Sequence, residues 1–466
     1  MRKKLTVYIP KNAPNLIELA EGNQFLAESM KLVFHQIYLG ITKIWNRDDE
    51  GKNSIKCGAW IALCSKILEA LLGSDRYREV LEFMISHGLI EEKMNAAGFQ
   101  TYAPNRCKRY RIPTHHFEAL KRNKLYRKET ITDTWLIGKV EKHLEGKGKR
   151  MIQQADLDQN LNLKRWVKMT KDLRPVPELV EAQRKLTNSD LEEEMLEHLV
   201  EKHQSVGLES FSVDDFGKRS YSHATNVKSS LRSMYRFKGF EASEHVNIDI
   251  SNSQPYMAGM LLRNPRCIRT LLPEFLPIRD TIAKYSDEAD TQRFFDSVRS
   301  GSFYKLIAKE ANLKLETSEI KKRCFKAIFY GKKRLHPDME NYAELKSVRE
   351  AFKSLFPHPF ETITVIKNFG KETLPFMDDF YYSRKTGEYL ENRGSYKNLS
   401  LAMQRMETRL VWRVNARLIK LKVTPFTNIH DSWWTIAENE AEVRKQVEIV
   451  FNRFGVEPPK LKTTHY

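Results

Sequence analysis

Apolar side chains recur at three- and four-residue intervals across 28–46 and again within 54–87, where Tyr77, Val80, Leu81 and Met84 follow the stop signal Gly73-Ser74. That period gathers them on one face, so both stretches predict amphipathic helices. The following segment, HGLIEEKMNAAGFQTYAPNRCKRYRI, reads as a helix end, a strand, a long turn and a second strand. Towards the C-terminus the period shortens to two. In EHVNIDIS, Val246, Ile248 and Ile250 alternate with Asn247, Asp249 and Ser251, which predicts a strand backed by the core on one side. Further strand patterns at 423–429 and 432–437 are separated by helical stretches, the mixture of an α+β chain.

Between these halves the pattern is more polar. The region after EGKGKRM runs to about residue 205, and the spacing in SDLEEEMLEHLVEKH predicts an acidic helix with ordinary surface pairing. Three regions result: 1–135, 136–205 and 206–466.

Charge narrows the class of partner. Lys and Arg total 78 against 60 Asp and Glu, a formal charge of +18, so a polyanion is the natural ligand, with a basic solvated surface as the plain alternative. Within Arg106 to Lys128, nine basic residues and one acid are interleaved with Tyr, Phe and His. Cations such as Arg109 and Arg111 could neutralise phosphates while the rings stack on bases. Five Cys without metal-type spacing argue for a reducing compartment and against a disulfide framework or zinc site. No stretch approaches the roughly 20 apolar residues of a membrane helix, and MRKKLTVYIPKNAP lacks a signal-peptide core. The expectation is a cytoplasmic protein of a bacterial or phage-infected cell, with no membrane partner.

Two carboxylates carry the candidate chemistry. Asp249 stands on the polar face of its strand, with Ser251 to Ser253 able to cap the next helix and Pro255 tolerated in its first turn. Asp431, in TPFTNIHDSWWTI, falls on or beside a hairpin turn. If the strands are neighbours, the two carboxylates could share divalent ions spaced about 3.5 to 4 Å, an arrangement suited to in-line displacement at phosphorus. Either Asp alone is an ordinary turn or cap residue. SEIKKRCFKAIFYGKKR supplies a phosphate-binding element: Lys322 and Tyr330 are about 800° apart around a helix and share a broad face with Lys326. Lys322 can meet a triphosphate, Tyr330 can lie under a base, and Gly331 lets the helix end. The plain alternative is a basic amphipathic helix packing Ile320, Cys324, Ala327 and Ile328.

In order, these segments resemble the three motifs of family A DNA polymerases and single-subunit phage and mitochondrial RNA polymerases: DISNSQPY with Asp249, Lys322 to Tyr330-Gly331, and His430-Asp431-Ser432. FGKRSYSHATNVKSSLR is similar to a stretch that holds the primer-template backbone, mapping Arg219 and Asn226 onto nucleic-acid contacts, and Gln404 matches a minor-groove reader. The resemblance covers roughly 215–455. It implies a right-hand palm of small antiparallel sheet with helices, helical fingers, and a linker or thumb-like region over 136–205. It also implies two Mg²⁺ ions, replaceable by Mn²⁺, held by Asp249, Asp431 and a backbone carbonyl near Ile250. Lys322 would act on the leaving group, with His430 near the primer terminus or bracing the hairpin. The implied partners are a nucleic-acid template, a primer or nascent strand, and nucleoside triphosphates. LGSDRYREVLEFMISHGLIEE resembles the winged-helix segments of phage and plasmid replication proteins.

The sequence departs from the family at Ser318, where an Arg usually precedes the motif Lys, so Lys321 or Arg323 would share the triphosphate charge. Nothing upstream resembles a proofreading nuclease. Gln254 occupies the position of a sugar-gating Glu in the DNA polymerases and of Gly in the RNA polymerases; its bulk suits a gate and its amide suits a hydroxyl. Ser432 and the third motif favour DNA-directed RNA synthesis, with a family A-like DNA polymerase as the alternative. LPFMDDFYYS resembles a reverse-transcriptase box, in unfavourable surroundings. A non-enzymatic alternative is a winged-helix replication initiator or regulator with an inactive palm.

Overall fold

The computed structural model describes residues 4–47, 58–94, 107–118, 125–145, 149–187, 189–204, 206–331, 335–337, 339–370, 380–383, 388–391 and 394–466. It is mixed α+β, as the two hydrophobic periods predict. Contacts divide the chain into two compact units, each discontinuous in sequence: 1–150 with 173–210 and 226–238, and 151–172 with 211–225 and 239–466. The stretch 136–205 is therefore shared out. Leu173–Pro175 pairs antiparallel with Tyr235–Phe237 in the first unit, while the helix Leu161–Lys171 packs on strand Phe426–Ile429 in the second, with Thr170 and Thr427 hydroxyls 2.7 Å apart.

In the first unit the strand Leu5–Pro10 pairs antiparallel with Tyr126–Ile131, and the long helix Gln24–Arg47 buries Met30, Val33, Phe34 and Ile37 against Val7 and Ile9. There follow a strand Ile61–Leu63, helices Ser65–Leu72 and Arg76–Ser86, and strands Glu91–Glu92 and Lys108–Arg111; the last strand lies in the middle of the three. Tyr77, Val80, Leu81 and Met84 form the buried face of the second helix, as their spacing predicts.

The acidic helix Asp190–Gln204 is a correction to the expectation of surface pairing alone. Glu194 is buried and its carboxylate accepts the backbone N–H groups of Leu125 and Tyr126 at 2.8 and 2.7 Å. Those donors offset a desolvation that hydrophobic periodicity cannot reveal.

The second unit is built on a four-stranded antiparallel sheet in the order Phe426–Ile429, Ser432–Ile436, His245–Ile250, Leu461–His465. The register sets Ile248 opposite Trp433 and Asp249 opposite Ser432. Both faces of the central strand are largely buried, its polar side included. Polar groups there are paired: the Asn415 amide donates to Asn428 at 2.8 Å, and Trp433 Nε1 donates to Asn415 at 2.9 Å. Helix Asn398–Lys420 brings Asn415 to the sheet and carries three residues of the candidate site on the same rod.

Among the described residues no helix is long and apolar enough to cross a membrane.

Candidate active site

The hairpin Phe426–Ile436 turns through two residues, His430 and Asp431, with Ile429 opposite Ser432. His430 takes φ +53°, the positive dihedral that two-residue hairpin turns require at their first position. Asp431 is thereby set at the tip beside the end of the central strand, and the Ile250 N–H donates to the Asp431 carbonyl at 3.2 Å. Asp249 is opposite Ser432, one residue from Asp431. The two carboxylates interact electrostatically. Asp431 is pushed well above the usual carboxylate range, first by desolvation and then by the negative charges of Glu407 and Asp249, with Arg219 pulling the other way.

Glu407 is the residue that sequence reasoning missed. It lies on the Asn398–Lys420 helix three residues after Gln404, is 1% exposed, and accepts from Arg219 at 2.5 Å, from the Ser253 hydroxyl at 2.6 Å and from the Gln254 amide. Gln254 in turn accepts the Tyr330 hydroxyl at 3.0 Å, and Gln404 hydrogen-bonds Tyr330. Burial tends to lower the Arg219 pKa, yet the anionic surroundings of Glu407, Tyr330 and Asp431 raise it on balance, fixing the guanidinium as a cation. Tyr330 is raised, chiefly by burial. A buried Glu at a core-facing helical position is the one signal that could have found Glu407, because such a carboxylate needs partners.

Arg219 reaches this cluster from a hairpin in which Ser212–Asp214 pairs with Ser220–Tyr221. Asp214 accepts the N–H groups of Gly217 and Lys218 at 2.5 and 3.1 Å, folding the turn. Gly217 has no room for a side chain: a Cβ would meet Gln404 Oε1 at 2.5 Å. The Tyr221 ring packs edge-on against His430 at 5.1 Å.

The expected cap after Asp249 is corrected. Asn252, at φ +57°, occupies the N-cap of helix Ser253–Arg263 without a side-chain cap hydrogen bond, and the Ser253 hydroxyl goes to Glu407 instead. Charge on a buried acceptor makes that the stronger bond. Ser432 is likewise a structural link, its buried hydroxyl lying within hydrogen-bond distance of Asn247 Oδ1 and the Ile429 carbonyl at 3.0 and 3.1 Å.

The phosphate-binding candidate is helix Thr317–Cys324, continued by a π-helical turn Phe325–Phe329. Ile320, Cys324, Ala327 and Ile328 are buried while Lys321, Lys322 and Lys326 are exposed. Lys322 is paired with Glu319 at 2.6 Å. Arg323 is committed to Glu344 and Glu319 at 2.5 and 3.2 Å and is buried, so among the cations weighed to replace the missing Arg, Lys321 is the exposed one. Gly331 does not use a positive φ; a side chain there would collide with the Lys326 carbonyl oxygen. Lys367, buried, donates to the Ile328 and Gly331 carbonyls and holds this end of the helix.

The remaining expected contacts are elsewhere. Asn226 is exposed and belongs to the first unit. On strand Lys108–Arg111, Arg109 is exposed, whereas Arg111 bonds Glu91 at 2.6 Å and covers the Trp60 ring at 4.5 Å, and Lys108 pairs with Glu92 at 2.9 Å. Part of the charge expected for phosphates is thus neutralised within the unit. Asp378 and Asp379 of the reverse-transcriptase-like box lie outside the described residues.

Asp249 and Asp431 fit Mg²⁺, which binds through one or two carboxylates and takes its other oxygens from water and phosphates. Their mutual repulsion is the physical sign of such a fit. Among the described residues no group of three or more His, Cys, Asp or Glu forms a closed metal cage, and Glu407 is spent on its three donors.

No family model matches the sequence, and no curated protein is similar to it. Among solved structures, the POL domain of Pol1 from M. smegmatis, in complex with DNA primer-template and dNTP, aligns at a TM-score of 0.29 and 13% identity, covering 62% of this chain and 55% of that one. At that score the likeness does not establish a shared fold.

Proposed function

We propose that this chain is a template-directed nucleotidyltransferase, a nucleic-acid polymerase whose palm is the four-stranded sheet and whose fingers carry Lys322 to Tyr330. The observation that carries the reading is the meeting of Asp249 and Asp431 at one sheet edge, beside Arg219, Gln254, Tyr330 and Gln404 joined through Glu407.

Asp249 and Asp431, with the Ile250 carbonyl, would hold two Mg²⁺ ions, which when bound activate the attacking hydroxyl and neutralise charge on the leaving pyrophosphate. The chain's own groups do the rest. Lys322, exposed, releases Glu319 to meet the triphosphate and stabilises the charge that develops on it. Lys326 adds to the same field. The Tyr330 ring, held by Gln254 and Gln404, supports the incoming base. Arg219 and Gln404 face the nucleic acid, and His430 braces the turn through Tyr221. In the first unit, the order helix, strand, helix, helix, strand, strand with the last strand central is that of a winged helix, which we propose adds template contacts through Arg109.

The test is labelled-nucleotide incorporation on a primed template with Mg²⁺, offering ribo- and deoxyribonucleotides separately. Extension is expected with the intact protein and a loss of at least about a thousandfold with Asp249→Ala or Asp431→Ala. Extension undiminished in the double variant would overturn the assignment.

A further inference from the structure

We infer that Glu407 is the positioning residue that sets which sugar the site accepts, holding Gln254 so that a ribose 2′-hydroxyl is excluded and deoxyribonucleotides are preferred; this rests on the polymerase reading above.

The inference starts from one amide. A Gln side chain can present either its oxygen or its nitrogen in a given direction. At Gln254 the choice is made by charge: the carbonyl would be repelled by the Glu407 carboxylate, so the NH₂ faces Glu407 and the oxygen faces Tyr330. The Tyr330 hydrogen is consumed in donating to that oxygen, and Gln404 occupies the phenol from its other side.

Glu407 can impose this order because it cannot itself turn away. Its second oxygen is held by Arg219, and the first also takes the Ser253 hydroxyl. A carboxylate so deeply buried keeps its charge only while those donors stay in place.

The consequence falls on the sugar. Gln254 is in the first turn after the strand that ends in Asp249 and Ile250, so it stands next to the place where the α-phosphate would react. In a nucleotide the 2′-carbon is only a few bonds from that phosphorus. A 2′-hydroxyl brought against Gln254 and Tyr330 would leave water and meet a side chain whose oxygen and nitrogen are both engaged. A deoxyribose loses nothing there. Replacing Glu407 by Gln removes the charge that orders the amide, freeing Gln254 to rotate and offer a partner to the hydroxyl.

A merely structural role for Glu407 would slow both substrates together, so the readout is a ratio. Single-nucleotide addition is measured on a primed DNA template, comparing kcat/KM for a deoxy- and a ribonucleotide of the same base. The intact protein is expected to favour the deoxynucleotide by about a hundredfold or more, and Glu407→Gln to reduce that ratio by about tenfold, chiefly through KM. Gln254→Ala should move the ratio in the same direction with Glu407 unaltered. If Glu407→Gln does not fold, Tyr330→Phe keeps the ring but removes the hydrogen bond to Gln254, and it too should lower the ratio. A folded Glu407→Gln protein with an unchanged ratio, an unchanged ratio in Tyr330→Phe, or an intact protein that prefers ribonucleotides would each overturn the inference while leaving the polymerase reading in place. Absence of addition with either sugar would overturn both.

Discussion

Asp431 is held at a place where its charge is unwelcome. Two other carboxylates act on it and only Arg219 opposes them, so an ionised Asp431 destabilises the protein when no cation is near. Asp431→Asn keeps the shape and removes that repulsion. We expect its melting temperature at pH 8 without divalent ions to exceed that of the parent by a few degrees, on the order of 1 kcal/mol or more. Added Mg²⁺ should raise the parent's melting temperature and leave the variant's nearly unchanged, as read by calorimetry. A parent indifferent to Mg²⁺ would speak against paired carboxylates as a cation site. His430 is the other strained position: an L-residue at φ +53° costs about 1 kcal/mol. His430→Gly, which relieves that strain, should fold at least as well; any loss of nucleotide addition would then reflect the ring and not the turn.

At the scale of the element, the helix that ends at Tyr330 depends on one glycine. The chain leaves its α-helical turn at Cys324, widens into a π turn in which the Tyr330 N–H bonds the Phe325 carbonyl at 2.8 Å, and passes Gly331 directly over the Lys326 carbonyl. Gly331→Ala must push one of these apart. The expected cost is about 1–3 kcal/mol, and because the displacement falls next to Tyr330, nucleotide KM should rise about tenfold or more. A variant with parental stability and KM would show that the close approach is not required. The motif spacing made this helix and its exposed cations legible, since Lys322 and Lys326 follow from the apolar period. It could not give the π turn, because i to i+5 bonding is selected by what packs around the helix end, here Lys367 donating to the Ile328 and Gly331 carbonyls.

At the scale of the whole molecule, the first unit carries buried histidines that tie its stability to pH. Burial and, secondarily, Lys202 depress His35 to about 4; burial depresses His198 to about 4 as well, with Lys128 adding to it and Glu201 opposing. A His with a depressed folded pKa contributes stability that is full above its unfolded value near 6.5 and is lost as pH falls through about 4. Glu194, raised by burial to about 7, acts in the opposite sense: its contribution is full below its unfolded pKa near 4.5 and lost as pH rises through about 7. Two histidines outnumber one carboxylate, so the unit should lose a few kcal/mol net on going from pH 6.5 to 4. His198→Gln, which still accepts from Tyr38, should flatten the dependence of melting temperature on pH over that interval; an unaltered slope would assign the proton uptake elsewhere.

The sequence by itself determined the strand ending in Asp249, the hairpin around Asp431, the exposed lysines of the motif helix and the buried faces of the N-terminal helices, because each depends on a local period or turn rule that neighbours in the chain enforce. Only the tertiary structure decided that Asp249 and Asp431 are adjacent, that Ser253 serves Glu407 in place of a helix cap, that Arg323 and Arg111 are spent on internal ion pairs, and that Glu407 and Glu194 are buried. Those outcomes turn on which distant donors reach a carboxylate once water is excluded, and no spacing along the chain encodes that.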